Sequence, residues 1–193
     1  MNKQVMEAIK ILNQGGIVIF PTDTAFGIGC RIDNEEAVKR LFSIRKRPAF
    51  MATPVLVNGL EMAQKYLKKI PEEVISNLIK PYWPGALTIV LQSRIDMVLE
   101  LVRGHGTTIG VRMPNSQVIQ DIIKNVGVPI LGPSANFHGE KTPFEYKDLD
   151  PKLIKLVDLV LKGECLLKKP STVVDCSKTS WKVLRIGAID IKI

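Results

Sequence analysis

Residues 15–29 read GGIVIFPTDTAFGIG, and they carry the clearest indication of the fold in this chain. The pair Gly15-Gly16 ends a preceding helical pattern, and the apolar run at residues 17–20 predicts a buried strand that Pro21 terminates. The polar residues that follow predict a loop over residues 22–29 at the end of that strand. Because α/β proteins gather ligand-binding groups at strand ends, this loop is a candidate part of a functional site.

Helices and strands alternate on both sides of this stretch. A helix is predicted over residues 1–13 from the helical spacing of its apolar residues, and a second helix is predicted to open with a capping box at residues 33–36. Several of the later strand pairs lack room for a crossover helix. We therefore expect an α/β fold with a twisted, open, mixed sheet and flanking helices. The further strands are predicted at residues 54–57, 86–92, 108–113, 129–132, 158–161, 172–175 and 182–185, and the further helices at residues 60–67, 71–80, 116–125 and 151–157.

Length and composition fit one globular domain. The 193 residues are 46% hydrophobic and 24% charged, without repeat, low-complexity stretch or linker, so residues 1–193 are predicted to form a single domain. No apolar run is long enough for a membrane span and no secretory leader begins the chain, which predicts a soluble cytoplasmic protein. Its three cysteines have neither disulfide nor zinc spacing, which indicates buried free thiols.

The chain is basic. A formal charge of +8 at pH 7 indicates affinity for a polyanion, which is either a nucleic acid backbone or a small phosphorylated ligand. An aromatic content of 6% leaves few platforms for stacking bases, which weakens the case for a dedicated single-strand binder.

Polar segments lie at the ends of predicted strands, although the common nucleotide and hydrolase motifs GxxxxGK[ST], GxGxxG, GxSxG and HExxH are absent. One hydroxyl at such a place can simply cap a helix or close a turn. The repetition of the pattern favours a ligand site instead. The segments are PTDT at 21–24, TIGVR at 108–112, PSAN at 133–136 and ST at 171–172.

Arginines accompany these segments. Arg112 and Arg185 lie within apolar strands, where a guanidinium needs an anionic partner or a route to water. Arg45 and Arg47 come at the end of the second predicted helix, where the helix dipole by itself favours cations. Several arginines converging with hydroxyls indicate a pocket for phosphate or carboxylate.

Segments spread over almost the whole chain resemble the YrdC-like threonylcarbamoyl-AMP synthases. The resemblance implies a YrdC-like fold, in which an α/β sheet curves around a basic concave cavity, and the short chain is similar to the single-domain members of that family. The segments are GGIVIFPTDTAFGIG at 15–29, RKRP at 45–48, WPGALT at 83–88, IGVRMP at 109–114, PILGPSAN at 129–136, STVVD at 171–175 and LRIGA at 184–188.

The resemblance also implies a reaction. Members of this family convert L-threonine, bicarbonate and ATP, with Mg²⁺, into threonylcarbamoyl-adenylate and pyrophosphate. Other proteins then transfer the threonylcarbamoyl group to adenosine 37 of tRNAs. By resemblance the chain is thus expected to be a nucleotidyltransferase that uses Mg²⁺ as cofactor and ATP, L-threonine and bicarbonate as substrates. Its expected partners are the downstream transfer proteins, and weak tRNA binding is expected as well.

The family's functional residues match positions in this chain. Arginines there offset phosphate charge, while hydroxyls and amides align the reacting groups, so no protein nucleophile is required. The magnesium ligands are not assigned, and Asp23 is only a candidate. The resemblance places Arg45, Arg47, Ser134 and Asn136 in the catalytic cluster, Thr24, Arg112, Gly132 and Ser171 around threonine, and Arg47, Thr108, Ser134, Thr142 and Arg185 around ATP.

Two departures and several alternatives accompany this resemblance. Arg45 stands where the family usually has lysine, and the family's Asn-Pro-Leu run is not recognisable in residues 49–58. A non-catalytic module that binds tRNA or double-stranded RNA is the main alternative. Carbamoyl transfer is a third reading, but the hydrogenase-maturation relatives that perform it carry zinc-finger cysteines and further domains. A thiol hydrolase using Cys30 lacks a nearby histidine.

Overall fold

The strands of the computed structural model, which describes residues 2–191, form two mixed sheets. One sheet has the order β2-β1-β7 and the other has the order β6-β3-β5-β4-β8-β9. Each sheet contains parallel and antiparallel pairs, which confirms the expected mixed α/β class. The strands are β1 (Val18–Pro21), β2 (Phe26–Gly29), β3 (Val55–Leu56), β4 (Leu87–Gln92), β5 (Thr108–Arg112), β6 (Ile130–Leu131), β7 (Leu159–Val160), β8 (Thr172–Asp175) and β9 (Lys182–Arg185).

Helices flank the sheets, and most of them match the predicted positions. The predicted helix over residues 1–13 begins at Lys3, and Met1 lies outside the described residues. Among residues 2–191, no helix has both the length and the apolar character needed to cross a bilayer. The helices are α1 (Lys3–Asn13), α2 (Glu35–Ile44), α3 (Leu60–Tyr66), α4 (Glu72–Val74), α5 (Lys80–Tyr82), α6 (Glu100–Arg103), α7 (Gln117–Val126) and α8 (Pro151–Ile154), with a π-helical turn at Ile75–Ile79 and a 3-10 turn at Tyr146–Asp148.

The predicted loop over residues 22–29 is wrong in its second half. There the chain turns back and β2 pairs antiparallel with β1, with Val18 opposite Gly29 and Pro21 opposite Phe26. The turn is closed by Thr22, whose hydroxyl donates to the carbonyl of Ala25 at 2.7 Å. Two glycines made this segment read as a loop, but they serve close packing within a strand.

The prediction of one sheet also needs correction, because the strands form two sheets. Residues 129–135 connect these two sheets. The amide of Ile28 donates to the carbonyl of Pro133 at 2.9 Å, and the amide of Leu131 donates to the carbonyl of Cys30 at 2.9 Å. A Cβ at Gly29 would lie 2.1 Å from the carbonyl oxygen of Leu131, so only glycine permits this approach. The two sheets are thereby hydrogen-bonded to each other.

Several helix boundaries differ from the prediction. Asn34, not Asp33, caps α2, and its side chain accepts a hydrogen bond from the amide of Ala37. Pro71 precedes α4, and the helical segment continues to Tyr82 through the π-helical turn. Pro81 explains that turn, because a proline clashes with the carbonyl four residues earlier in a regular α-helix. α8 ends at Ile154, and the short helix α6 and the 3-10 turn were not predicted.

Candidate active site

A cavity of about 480 Å³ lies against one face of the six-stranded sheet. The alternation of side chains along a strand decides which residues face it. On β4, for example, Leu87, Ile89 and Leu91 are buried in the core, while Thr88 and Val90 face the cavity. The residues of the central strands that face the cavity in this way are Thr88, Val90, Thr108, Gly110, Arg112, Val173 and Asp175.

The other walls come from segments that are distant in sequence. They are the β1–β2 turn with the start of β2, the residues that follow α2, and the loops after β6 and before β8. All of these segments contribute residues to the lining of the same cavity. Of the residues that the sequence predicts for the site, the cavity is lined by Thr24, Arg45, Arg47, Thr108, Arg112, Gly132, Ser134, Thr142, Ser171 and Arg185.

Arg112 is the most firmly held cation of the site. Its Nε donates to the carbonyl of Gly85 at 2.9 Å, its Nη1 donates to the hydroxyl of Thr24 at 2.6 Å, and its Nη2 donates to Oδ1 of Asp23. This confirms the expectation that an arginine in an apolar strand needs an anionic partner. Burial lowers the pKa of Arg112, while the neighbouring carboxylate of Asp23 opposes that shift. Three of its five N–H groups are therefore engaged, and two are left for a ligand.

A second polar group surrounds Ser171. Its hydroxyl lies 2.8 Å from the hydroxyl of Thr88 and accepts a hydrogen bond of 3.1 Å from Nη2 of Arg185. Nε of Arg185 donates to the carbonyl of Ser171 at 3.0 Å. Ser171 and Thr88 are buried, whereas Arg185 is exposed, so this arginine closes the rim of the cavity.

Arg45 and Arg47 form the wall that follows α2. Burial, together with the positive charge of Arg47, lowers the pKa of Arg45 to about 10. Burial also lowers the pKa of Arg47, whose Nε donates to the carbonyl of Met51 at 3.1 Å. Nη1 of Arg45 is buried without a hydrogen-bond partner among residues 2–191. Within residues 2–191 neither guanidinium forms an ion pair with a carboxylate, so these two neighbouring cations make this wall suitable for an anion.

Asn136 does not line the cavity with the other predicted site residues, as far as residues 2–191 show. Its side-chain nitrogen donates to the carbonyls of Phe137 and Glu140 at 2.9 and 2.8 Å. Its own backbone carbonyl accepts a hydrogen bond of 3.0 Å from Nε of Arg45. The structure therefore brings Asn136 to the site as a support for Arg45.

The segment after β6 contributes backbone as well as side chains. The amide of Gly132 donates to the carbonyl of Pro54 at 2.9 Å, and a Cβ at Gly132 would lie 2.3 Å from the side chain of Leu56. Glycine is thus required where the chain passes closest to β3. Ser134 forms an isolated β-bridge with Gly27, which places its hydroxyl beside the cavity.

Sequence reasoning missed three polar residues that line the cavity, Thr53, Thr88 and Asp175. The hydroxyl of Thr53 is buried without a hydrogen-bond partner among the described residues. Thr88 and Asp175 could have been found from strand alternation, because residues two apart on a strand face the same side. Thr88 shares a face with Val90. Asp175 shares a face with Val173 and is four residues beyond Ser171. No comparable pattern marks Thr53.

Asp23 lies next to this site without lining it. It contributes instead to a separate cavity of about 280 Å³, together with Tyr82, Asn115 and Leu167. Oδ2 of Asp23 is buried and accepts no hydrogen bond from any residue between 2 and 191. Asp23 therefore stays only a candidate for metal or proton chemistry, and it does not line the main cavity.

The cysteines take no part in the cavity. Cys30, Cys165 and Cys176 are free and buried, which confirms the prediction from their spacing. Burial raises the pKa of Cys30 and of Cys176 to about 12, and it also raises the pKa of Cys165. These thiols are protonated at neutral pH, so a thiolate nucleophile finds no support.

Sequence comparison places the chain among known proteins. The family model Sua5_yciO_yrdC, described as "Telomere recombination", matches residues 10–187. The protein YciO of Escherichia coli K12, which is named uncharacterized, is 30% identical over 97% of this chain and 91% of its own length. The threonylcarbamoyl-AMP synthase of Bacillus subtilis is 30% identical over 96% of this chain, which spans 54% of that protein.

Solved structures show the same relationship. The Pyrococcus abyssi Sua5 structure complexed with L-threonine superposes with a TM-score of 0.87 at 31% identity, covering 95% of this chain and 54% of that one. The crystal structure of E. coli YciO superposes with a TM-score of 0.87 at 27% identity, covering 97% of this chain and 91% of that one. The chain thus spans about half the length of the Sua5 protein and nearly the whole length of YciO.

Proposed function

Because the chain belongs to the Sua5/YciO/YrdC family, we propose that it is a threonylcarbamoyl-AMP synthase, an enzyme of the nucleotidyltransferase class that forms threonylcarbamoyl-adenylate and pyrophosphate from L-threonine, bicarbonate and ATP. This chain spans 54% of each of two relatives named as synthases, those of Bacillus subtilis and Pyrococcus abyssi, so the activity of those whole proteins is proposed for it on the strength of the cavity.

The observation that carries the proposal is the convergence of four arginines on one cavity with hydroxyls between them. Arg112, with Thr24 beside it, offers its two remaining N–H groups to a carboxylate. Arg45 and Arg47 present uncompensated positive charge on another wall. A site with a carboxylate receptor and a separate polyphosphate receptor fits an amino acid and ATP bound side by side.

The proposed mechanism assigns positions to these groups. Arg112 holds the carboxylate of threonine, and the hydroxyls of Thr24 and Ser171 orient its polar groups. The carbamate formed on the threonine nitrogen attacks the α-phosphorus through an oxygen, and the bond to pyrophosphate breaks. Arg47, Arg45 and Arg185 offset the charge that develops on the phosphate oxygens, and the hydroxyls of Thr108, Ser134 and Thr142 align the chain of phosphates.

We propose that a magnesium ion enters the cavity with the nucleotide. The part of the chain between residues 2 and 191 contains no group of three or more His, Cys, Asp or Glu residues able to hold a metal. Mg²⁺ commonly binds substrate phosphates and water with few protein ligands, so such a cage is not needed. The hydroxyls of Ser134 and Thr142 are the neutral oxygen groups that would face it, and the ion would offset phosphate charge.

The proposal also concerns the partners of the protein, the location of the reaction and the domain organisation. A short-lived adenylate has to be handed to proteins that transfer the threonylcarbamoyl group to tRNA, and weak tRNA binding by the basic chain would assist that transfer. ATP and tRNA occur together in the cytoplasm, which is where we place the reaction. We also propose that residues 1–193 act as one YrdC-like domain, and the shared buried core that includes residues of β1, β2, β4 and β5 supports this.

The test is mass-spectrometric detection of threonylcarbamoyl-adenylate, with pyrophosphate release, from purified protein given ATP, Mg²⁺ and bicarbonate with or without L-threonine. We expect product only when threonine is present. If ATP and threonine bind but no product forms, the catalytic assignment is wrong. If neither ligand binds, the alternative of an RNA-binding module takes precedence, and its affinity for tRNA should fall steeply with salt.

A further inference from the structure

The second cavity, of about 280 Å³, shares no lining residue with the main cavity among residues 2–191. Nothing in the proposed reaction uses it. Its lining is mostly apolar and includes Pro81, Tyr82, Pro84, Leu166, Leu167 and Ile189. Leu166 is 78% exposed and Leu167 is 45% exposed. Apolar side chains that are exposed together at a concave surface often mark a binding site for an apolar group.

Asp23 and Asn115 are the polar side chains of this lining within the described chain. Asp23 is 5% exposed, its backbone carbonyl accepts a hydrogen bond of 2.9 Å from the amide of Leu167, and its Oδ1 accepts one from Arg112. Its remaining acceptor, Oδ2, is buried without a hydrogen-bond partner in residues 2–191. An unpaired buried acceptor costs free energy, so Oδ2 favours a donor from outside the protein.

Two of the three residues that hold Arg112 belong to the lining of the second cavity. Nη2 of Arg112 donates to Oδ1 of Asp23, and Nε donates to the carbonyl of Gly85 at 2.9 Å. Asp23 and Gly85 both line the second cavity, whereas the third contact, Thr24, lines the main cavity. A ligand in the second cavity therefore lies next to the supports of the guanidinium that we assign to threonine.

The charges around Asp23 favour a neutral ligand. The buried carboxylate repels an anion, and a cation would compete with Arg112, which already balances the charge of Asp23. An N–H group of a neutral ligand donates to Oδ2 without changing that balance, and hydrogen bonds to a charged acceptor are the stronger ones. A carboxamide on a short aliphatic chain offers such a donor together with an apolar body for the leucines, and its carbonyl can accept from the carboxamide of Asn115.

We propose that the second cavity binds a small neutral ligand with a carboxamide and an aliphatic chain, and that this ligand raises the affinity of the main cavity for threonine. Oδ2 of Asp23 accepts from the carboxamide N–H, and Leu167 contacts the aliphatic chain. A ligand that holds Asp23 and Gly85 in place leaves Arg112 less to reorganise when threonine binds. By linkage, threonine raises the affinity for the ligand by the same factor. The coupling rests on the proposed function, whereas the site itself does not.

The experiment titrates three probes of similar shape into the natural chain and follows its backbone amides by NMR. Valeramide has a carboxamide on a butyl chain, 2-hexanone replaces the NH₂ group with a methyl group, and valerate replaces it with a charged oxygen. We expect valeramide to bind with a dissociation constant of about 1 mM and to shift the amide signals of residues 82–86 and 166–167. The other two probes should bind at least about tenfold more weakly, as the loss of one hydrogen bond to a charged acceptor predicts.

Calorimetry with L-threonine, in the presence and absence of saturating valeramide, measures the coupling. We expect the dissociation constant of threonine to fall about fivefold when valeramide is bound. Leu167→Ser and Asp23→Asn should each weaken valeramide binding, and circular dichroism checks that both variants are folded. Leu156→Ser is the matched control, because Leu156 is 44% exposed, against 45% for Leu167, and lines neither cavity in the described chain.

Three results would count against parts of this inference. If valeramide causes no shifts, or binds no better than 2-hexanone, or binds the folded Leu167→Ser variant as tightly as the natural chain, the site is wrongly assigned. If valeramide binds and the dissociation constant of threonine stays the same, the coupling is wrong. If valeramide binds and threonine does not, the proposed function fails while the site stands.

Discussion

Arg112 and Asp23 form a buried ion pair, yet the two residues line different cavities. Arg112 faces the cavity of about 480 Å³, and Asp23 lines the separate cavity of about 280 Å³. They come from the end of β5 and from the β1–β2 turn, which belong to different sheets. The pair therefore connects the two sheets and fixes the arginine that we assign to threonine.

The substitution Asp23→Asn tests this connection. It leaves a buried guanidinium without its counter-charge, so we expect the free energy of unfolding to fall by about 3 kcal/mol. We also expect the dissociation constant of threonine to rise more than that of ATP, because Arg112 loses the contact that orients it. Urea unfolding and calorimetry measure these effects. Asp33→Asn, which breaks the more exposed pair with Arg31, should cost less than about 1 kcal/mol. Unchanged threonine affinity in the folded variant would contradict the positioning role.

Arg47→Ala should abolish formation of threonylcarbamoyl-adenylate and leave the fold intact. The side chain is half-buried at the cavity wall, and its removal takes away a cation that would face the phosphates. The assay is pyrophosphate release, with circular dichroism as the check on folding. Lys46→Ala is the control, because Lys46 is the adjacent exposed cation and does not line the cavity in the described chain. Natural turnover in Arg47→Ala would exclude the catalytic assignment.

Substitutions of the adjacent residues Ser171 and Thr172 should have different effects, the first on ligand binding and the second on stability. Ser171 faces the cavity, and Ser171→Ala should weaken threonine binding by roughly fivefold, the loss expected for one neutral hydrogen bond. Thr172 instead donates to the carbonyl of Ile189 and accepts from the amide of Gly187. Thr172→Val should therefore reduce the free energy of unfolding by about 2 kcal/mol with little change in ligand affinity. Calorimetry and urea unfolding of both variants are the measurements, and a reversed pattern would mean that the two faces of β8 are wrongly assigned.

The cysteines should not react with a thiol reagent in the folded protein at pH 8, and all three should react after unfolding. Burial holds the pKa of Cys30 and Cys176 at about 12 in the fold, against an ordinary value of 9.0. The unfolded chain thus loses these protons first as pH rises, so the free energy of unfolding should fall between about pH 9 and pH 12.

A variant in which alanine replaces the three cysteines should show a flatter dependence of stability on pH over the same range. Rapid labelling of the folded protein at pH 8 would show that a thiol is accessible, which the buried positions do not allow. If the free energy of unfolding falls equally steeply with pH in both proteins, the alkaline loss of stability is due to other groups.

The local sequence was sufficient for most elements. Apolar runs predicted the positions of β1, β4, β5 and β8, and helical spacing predicted α1 and α7, because the period of apolar residues follows directly from the geometry of each element. It failed at β2, where Gly27 and Gly29 resemble loop residues. Their real constraint is the closeness of Phe20 and of Leu131, which are neighbours only in the folded chain.

The site, like the fold, could be predicted only in part from the local sequence. The amino-acid sequence revealed arginines and hydroxyls at strand ends, and thiols in apolar surroundings. The place of each side chain around the cavity depended on the tertiary structure. It placed Asp23 in the lining of a second cavity, used Asn136 to support Arg45, and set Asp175 near Val90 and Val173. Direction depends on which strands pair and in which register, and pairing is decided by burial of the whole core rather than by any one segment.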